Sequence, residues 1–213
     1  MTTLIDNDII LKACCYGLAN DLLLPVCESL DLAGVLGTAR FVIPHRIKRI
    51  GLNGGPQDAI LRAASLLGCV STVEPTEGEQ IIAADLELAA QRAGLGLDTG
   101  ESHLCALALS RGIRRLLTGD KRAIVAIEIL LDRDSRLSAL CGRIWCLEQL
   151  VILALGSDST GSIRLAICGQ PAVDKTLAIC SGCRAEATKE VMVECLESYL
   201  RDLRGRAARV LSA

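Results

Sequence analysis

The sequence predicts an α/β protein with a mostly parallel β-sheet flanked by helices. Short apolar runs alternate with longer segments of helical periodicity along residues 1–155, which is typical of strand–helix–strand units covered on both faces. After the polar stretch "GSDSTGS" (156–162), the patterned segments are helical. We therefore expect one α/β domain over residues 1–155 and a helical C-terminal extension over residues 157–213.

Four segments are predicted as strands because they are short, apolar and followed by a turn or a helix. "TTLIDND" gives the first strand, which ends at Asp6, and "ARFVIP", stopped by Pro44, gives the second. "IRRLLTG" gives the third, and a short fourth strand is expected around Ile144–Cys146. In a parallel sheet the carboxyl ends of these strands share one edge.

Helical spacing of apolar residues predicts most of the remaining elements. "ESHLCALALSRG" is amphipathic and ends at Gly112, a residue suited to the C′ position. Short helical pieces are expected in "LLLPVCESLDLAGVLG", and a short basic helix in "HRIKRIGL". The other predicted helices are "DIILKACCYGLAND", "QDAILRAASLLG", "EGEQIIAADLELAAQRAG", "KRAIVAIEILL", "RLSALCG" and, as one long helix in the tail, "AEATKEVMVECLESYLRDLRGRAARVL".

Composition limits the classes of function. The chain has 213 residues, of which 51% are hydrophobic, enough for a packed core. Only Tyr16, Phe41, Trp145 and Tyr199 are aromatic, so we expect an aliphatic core, and base stacking on aromatic platforms is disfavoured. A formal net charge of −2 gives no overall attraction to nucleic acid and leaves a local basic patch as the alternative.

The eleven cysteines are expected to be reduced thiols of a cytoplasmic protein, because their number is odd and no secretory signal precedes "LIDND". No apolar run is long enough to predict a membrane span. Cys180 and Cys183 of "CSGC", with Cys168 and Cys195, leave a zinc site as an alternative. Core or incidental thiols are favoured, because the outer cysteines lack paired CxxC spacing.

Acidic residues from three distant segments are expected at one edge of the sheet. Asp6 and Asp8 follow the first strand, and Asp120 follows the third. Glu101, preceded by Asp98, opens the helix that leads into the third strand. Each acid alone is explained by helix capping or by the helix dipole. Their common position nevertheless indicates a shared acidic site.

A shared acidic site indicates a divalent metal ion. Carboxylates packed together repel each other unless a cation neutralises them, and oxygen ligands without His or Cys select Mg²⁺ or Mn²⁺. Such ions orient and acidify water and stabilise charge on a phosphoryl group, so the expected chemistry is phosphodiester hydrolysis. A phosphatase-like hydrolase that uses Asp6 and Asp8 as "DxD" is disfavoured, because no partner motif accompanies the pair.

Three segments resemble the PIN-domain family of nucleases, which includes bacterial toxin-type ribonucleases. They are "LIDNDIIL" near the N-terminus, "LDTGESHLCALALSRG" in the middle and "LLTGDKRA" after it. Their order and spacing carry the resemblance, which covers residues 2–155. It implies a PIN-like fold, a Mg²⁺- or Mn²⁺-dependent ribonuclease activity and, by likeness to the toxins, a cognate antitoxin.

The resemblance also implies roles for individual residues. Asp6, Glu101 and Asp120 take the positions of the family's metal ligands and catalytic acids. Supporting positions, which orient ligands or water, are taken by Asp8, Thr118 and Asp98.

The chain departs from the family at the helix after the second strand, where a further acid is usual. Here that helix is "PHRIKRI", and its nearest positions are Arg49 and Ile50. Glu77, Glu79 and Asp85 are the candidate substitutes. Without a substitute, the alternative is a catalytically weakened PIN-like protein that binds nucleic acid or a regulatory partner.

Basic residues near the acids are candidates for binding RNA or another single-stranded nucleic acid, because Lys and Arg contacts to phosphate give affinity without sequence preference. A solvated helix face is the alternative for those in "HRIKRI". His45 and His103 are weaker candidates for a catalytic base. The basic candidates are Arg46, Lys48, Arg49, Lys121 and Arg122.

The apolar segment 22–37 and the tail are candidate surfaces for homodimerisation or for an antitoxin or regulatory protein.

Overall fold

The computed structural model describes residues 1–158 and 161–213 and has the predicted α/β architecture. Within those residues the strands β1 (Thr3–Ile5), β2 (Ala33–Leu36), β3 (Ser71–Val73), β4 (Arg115–Thr118) and β5 (Ile144–Cys146) form one parallel sheet. Their order across the sheet is β3–β2–β1–β4–β5. The predicted linker 156–162 includes residues 159–160, which lie outside the described residues.

Helices cover both faces of the sheet. Two 3-10 turns, Leu30–Leu32 and Ser135–Leu140, add to them. In the described part of the chain, no helix combines the length and apolarity needed to cross a membrane. The helices are α1 (Asn7–Tyr16), α2 (Ala19–Leu23), α3 (Ala39–Ile47), α4 (Gln57–Cys69), α5 (Glu77–Arg92), α6 (Thr99–Arg111), α7 (Lys121–Leu130), α8 (Leu147–Ser157), α9 (Ser162–Gly169), α10 (Lys175–Cys180) and α11 (Lys189–Arg206).

Two aliphatic clusters hold the layers together, one on each face of the sheet. Ile5 of β1 belongs to one cluster, with Ile10 of α1 and Leu150 of α8. Its neighbour Leu4 belongs to the other, with Leu107 of α6, because successive strand side chains point to opposite faces. The largest fully buried side chains are leucines and isoleucines, so the predicted aliphatic core is confirmed.

The helical extension contributes to both clusters. Met192 and Leu196 of α11 join the first cluster. Leu200 and Leu203, further along the same helix, join the second. α11 therefore extends from one cluster to the other and packs against α8, α10 and α7.

The C-terminal end of the tail leaves the helix and joins the edge of the sheet. α11 ends at Arg206, so the prediction of a single helix for the whole tail segment is wrong. Leu211 forms an isolated parallel bridge with Ile144 of β5. The turn before it is fixed by Arg209, whose Nε donates to Glu128 at 2.6 Å and whose backbone N–H donates to the same carboxylate at 3.0 Å.

The prediction of a second strand in "ARFVIP" is wrong, because these residues begin α3. Ala39, Ile43 and Ile47 recur every four residues and are buried, so the apolar residues form one face of a helix. Pro44 lies inside this helix. The true second strand, β2, lies earlier, in the segment predicted as helical pieces.

Two glycines, one in β2 and one directly after it, make this strand difficult to recognise in the sequence. A Cβ on Gly34 would lie 2.2 Å from Sδ of Met1, and a Cβ on Gly37 would lie 1.7 Å from Oε1 of Glu74. Glycine in or beside a strand marks such close approaches. Most apolar residues of the segment 22–37 are buried within the fold. The segment therefore exposes little of the apolar surface that was expected for homodimerisation or for a protein partner.

One disulfide contradicts the expectation that all cysteines are reduced. Cys168 at the end of α9 is bonded to Cys183 after α10, because the packing of these two segments brings their Cα atoms to 5.0 Å. The other nine cysteines are free. The alternative zinc site is left with two free thiols, Cys180 and Cys195, because the disulfide takes Cys168 and Cys183. No group of three or more His, Cys, Asp or Glu residues positioned for a metal occurs among the described residues.

Candidate functional site

The candidate site lies where the strand order reverses. β2 lies on one side of β1 and β4 on the other, so the loops that follow β1 and β4 diverge and leave a crevice at their carboxyl ends. Asp6 directly follows β1, and Asp120 lies two residues after β4. The Thr118 hydroxyl donates to Oδ2 of Asp6 at 3.4 Å. The two central strand ends are therefore joined through side chains.

A cleft of about 900 Å³ opens at this crevice. Its walls come from the residues that follow β1, β2, β3 and β4 and from residues of α1, α3, α5, α6 and α7. The five acids singled out in the sequence share this cleft, and one further acid, Glu74, joins them. The acids that line it are Asp6, Asp8, Glu74, Asp98, Glu101 and Asp120.

α6 delivers Glu101 to the cleft through a capping box. Oδ1 of Asp98 accepts from the backbone N–H of Glu101 at 3.0 Å, and Oε2 of Glu101 accepts from the N–H of Asp98 at 2.9 Å. Glu101 is only 8% exposed. The same residue thus closes a helix cap and faces the site, so the two interpretations of this acid are compatible.

Asp120 caps α7 and is already paired with a cation. Its Oδ1 accepts from the backbone N–H of Arg122 at 2.7 Å, and its Oδ2 pairs with the Arg122 guanidinium at 2.5 Å. Its own N–H donates to the Thr118 hydroxyl at 3.2 Å. Burial raises the pKa of Asp120, but the hydrogen bonds and charge of Arg122 outweigh burial, and the pKa is lowered.

The cleft disfavours negative charge on Asp6 and Glu101. Burial, together with the charges of Asp98, Asp120 and Asp6, raises the pKa of Glu101 to about 8, while the backbone amide of Asp98 acts in the opposite direction. Burial and the charge of Asp8 raise the pKa of Asp6 to about 6, while nearby backbone amides act in the opposite direction. A cation bound between these carboxyl groups would relieve the repulsion.

Asp8 is held by two cations. Its Oδ2 lies 2.7 Å from Nζ of Lys12, one helical turn further along α1. Its Oδ1 lies 3.2 Å from the Arg46 guanidinium of α3. Lys12 lines the cleft and was missed in the sequence, although its spacing of four residues from Asp8 is the signal that places both on one helix face.

Two of the predicted nucleic-acid contacts, Arg46 and Arg122, line the cleft. Their side chains are 46% and 81% exposed, so both can reach a ligand at the cleft mouth. Lys48 and Arg49 are exposed after the end of α3 and are not among the described residues that line the cleft.

Of three further predicted residues, two lie outside the described cleft walls and one lines the cleft. Lys121 pairs with the buried carboxylate of Glu148 and lies 5.7 Å from the centroid of the Tyr199 ring, so its ammonium serves the contact with the extension. Of the two histidines, His103 lines the cleft, whereas His45 is exposed outside the described walls.

The resemblance predicts an acid on the helix after β2. In the structure this helix, α3, brings a cation to the cleft instead. The residues of α3 that line the cleft are Val42 and Arg46, rather than the expected positions Arg49 and Ile50. Arg46 pairs with Asp8, so this helix adds positive charge to the site.

None of the candidate substitute acids is among the described residues that line the cleft. Glu79 is buried beside Arg111, which donates to both of its carboxylate oxygens at 2.7 Å and lowers the pKa of Glu79 to about 2. Asp85 is exposed on α5, 3.9 Å from Arg136. Glu77 is exposed in the first turn of the same helix.

Glu74 is the acid that the sequence interpretation missed. It directly follows β3, and its carboxylate packs over Gly37. The signal was present in "STVEP", a short β-branched run followed by an acid and a proline, but it depends on identifying β3. Glu74 therefore lines the same cleft as the predicted acids.

The donor set fits a hard divalent ion in its chemistry. Carboxylates from three elements, two of them with raised pKa values, match the preference of Mg²⁺ or Mn²⁺ for oxygen. Among residues 1–158 and 161–213, no three such side chains stand close enough to hold an ion without adjustment. An ion would compete with Arg122 for Asp120, and the Arg122 side chain is exposed enough to move aside.

Comparisons of the chain with protein-family models, with curated proteins and with solved structures gave no match. The resemblance to PIN nucleases therefore rests on the three sequence motifs.

Proposed function

We propose that this chain is a Mg²⁺- or Mn²⁺-dependent nuclease of PIN type, which hydrolyses phosphodiester bonds in RNA. One observation carries the proposal: Asp6, Glu101 and Asp120 come from three distant segments and line one cleft at the point where the strand order reverses. Independent helix caps have no reason to meet there, whereas ligands of open α/β sheets bind at this position.

In this proposal Asp6, Glu101 and Asp120 hold the ion. When bound, the ion acidifies a water and stabilises charge on the phosphoryl group. Thr118 orients Asp6 through its hydroxyl, and Asp98 orients Glu101 through the capping box, so two ligands are fixed before an ion arrives.

Arg46 and Arg122 are proposed to hold the backbone of RNA or another single-stranded nucleic acid. They line the cleft beside the acids and are exposed, and guanidinium groups bind phosphate without reading sequence. An antitoxin stays a prediction from the resemblance, and a regulatory protein or a second copy of the chain stays a prediction from the apolar segments of the sequence. We propose the cytoplasm as the compartment because nine of the eleven cysteines are free thiols.

Mn²⁺ binding and RNA cleavage test the proposal together. Wild type should gain thermal stability with Mn²⁺ by mass action, and Asp6→Asn should lose this gain. Asp120→Asn should lose cleavage of a single-stranded RNA. Glu77→Gln, an exposed acid outside the described cleft walls, should behave as wild type. Cleavage that is unchanged in both aspartate variants would defeat the assignment of the site.

A second candidate function is a catalytically weakened PIN-like protein that binds nucleic acid or a regulatory partner. The pairing of Arg46 with Asp8 favours it, because a cation on α3 opposes metal binding at the site. RNA binding without cleavage, combined with no effect of Mn²⁺ on thermal stability, would select this alternative.

A further inference from the structure

The helical extension reaches the candidate site through Asp174, the N-cap residue of α10. Oδ1 of Asp174 accepts from the backbone N–H of Leu177 at 3.0 Å and so caps the helix. Oδ2 of the same carboxylate lies 2.7 Å from Nζ of Lys12 in α1. One carboxylate therefore anchors α10 and touches a residue that lines the cleft.

Lys12 is shared between the extension and the site. Its Nζ lies 2.7 Å from Oδ2 of Asp8 as well as 2.7 Å from Oδ2 of Asp174. Its side chain is only 13% exposed, so the ammonium depends on these two carboxylates. Burial lowers the pKa of Lys12, but the two carboxylates raise it more, so Lys12 stays charged.

The balance of charge at Asp8 is set by its two cations. Arg46 is half exposed and pairs with Oδ1, whereas Lys12 is buried and pairs with Oδ2. Because Lys12 also neutralises Asp174, Asp8 keeps part of its negative charge. Asp8 lies two residues from Asp6 and lines the same cleft, so its charge acts close to the proposed metal ligand.

We propose that Asp174 is a positioning residue of the extension that tunes the affinity of the candidate metal centre by sharing Lys12 with Asp8. This inference rests on the proposed function. It gives the extension, residues 157–213, a role at the cleft in addition to its packing.

Removing the charge of Asp174 should weaken divalent-ion binding through two effects that both lower the affinity. In Asp174→Asn, Lys12 is left to Asp8 alone and neutralises it more fully, and one negative charge near the ion is lost. Asparagine also caps helices, so α10 should keep its cap. We expect Mn²⁺ affinity to fall by up to about tenfold, the lower end of the loss for groups that contact a metal ligand directly.

Removing Lys12 should have the opposite effect. Lys12→Met takes a cation away from the acids, so Mn²⁺ should bind more tightly than to wild type. The double variant Lys12→Met/Asp174→Asn removes one charge of each sign, and its affinity should return towards that of wild type. A merely structural role of the pair predicts no such change of sign.

The matched control is Asp134→Asn. Asp134 also caps through Oδ1, at the 3-10 turn Ser135–Leu140, and pairs through Oδ2 with Arg136 at 2.6 Å. Its side chain is 19% exposed, against 16% for Asp174. Asp134 is not among the described residues that line the cleft, so its variant should bind Mn²⁺ as wild type does.

The experiment is calorimetric titration of the full-length protein and its variants with Mn²⁺, with thermal unfolding as a check on folding. Opposite shifts in Asp174→Asn and Lys12→Met support the inference. Equal affinities in Asp174→Asn and Asp134→Asn overturn it and leave the proposed function standing. If Lys12→Met does not fold, the comparison of Asp174→Asn with Asp134→Asn still tests the inference. Absence of Mn²⁺ binding by wild type overturns the proposed function, and this inference with it.

Discussion

The carboxylate of Asp8 lies against the backbone of Gly119, so close that a Cβ at position 119 would lie 2.1 Å from Oδ2 of Asp8. The glycine of "TGD" is therefore required by the approach of α1 to the end of β4. Because Asp8 is also held by Lys12 and Arg46, its carboxylate has little freedom to move away. This glycine thus helps to shape one wall of the cleft.

Gly119→Ala should displace Asp8 and destabilise the protein. We expect the free energy of unfolding in urea to fall by about 1–3 kcal/mol, as for other overpacked sites, and Mn²⁺ binding to weaken. The control is Gly68→Ala in α4, where an added Cβ meets no atom within 4 Å. That variant should be more stable by about 1 kcal/mol. A Gly119→Ala protein as stable as wild type would show that Asp8 is mobile.

Glu101 should make the metal-free protein less stable as pH rises. Burial raises its pKa in the folded state from 4.5 to about 8, so folding favours the protonated form. Its contribution to stability is present below about pH 4.5 and is lost as pH rises to about 8. In EDTA, the melting temperature of wild type should fall relative to that of Glu101→Gln across this range. Parallel profiles would contradict the raised pKa, whereas Mn²⁺ should restore the stability of wild type.

The pair Glu79–Arg111 should show the opposite pH dependence. The hydrogen bonds of Arg111 lower the pKa of Glu79 from 4.5 to about 2, so the pair stabilises the fold above pH 4.5 and this contribution is lost as pH falls towards 2. Glu79→Gln should cost about 1–3 kcal/mol at neutral pH. The difference from wild type should shrink in acid urea titrations. A constant difference from pH 7 to pH 3 would mean that no such pair forms.

The Cys168–Cys183 disulfide should stabilise the extension. It closes a loop of sequence separation 15, for which chain entropy predicts about 3 kcal/mol. Cys168→Ser/Cys183→Ser should lose about this much, and excess reductant should make wild type match it. Replacing the exposed free thiols Cys69 and Cys141 should change little. Titration of eleven reactive thiols in unfolded wild type without reductant would contradict the disulfide.

The sequence was sufficient for those parts of the fold and site that depend on local signals. Asp6 and Asp120 were identified because each follows a predicted strand, and Glu101 because it opens a predicted helix. Gly112 was identified as the end of α6, and its φ of 62° has the predicted left-handed conformation. These features need only neighbours within a few residues in the chain.

Other features depend on contacts that no local pattern reveals. β2 was missed because Gly34 and Gly37 are there to accommodate Met1 and Glu74 from other parts of the chain. The spacing of Lys12 from Asp8 is a local signal, but the contact of Lys12 with Asp174 joins residues 162 positions apart (174 − 12). Short strands with glycines and long-range ion pairs are therefore the parts of this site that required coordinates.

The most direct test of the metal centre is a crystal structure of the protein soaked with Mn²⁺, in which anomalous scattering locates the ion. The account predicts an anomalous peak in the cleft with oxygen atoms of Asp6, Glu101 and Asp120 around it and with Arg122 turned away from Asp120. A well-ordered cleft without a peak, or a peak bound by other residues on another face, would contradict it.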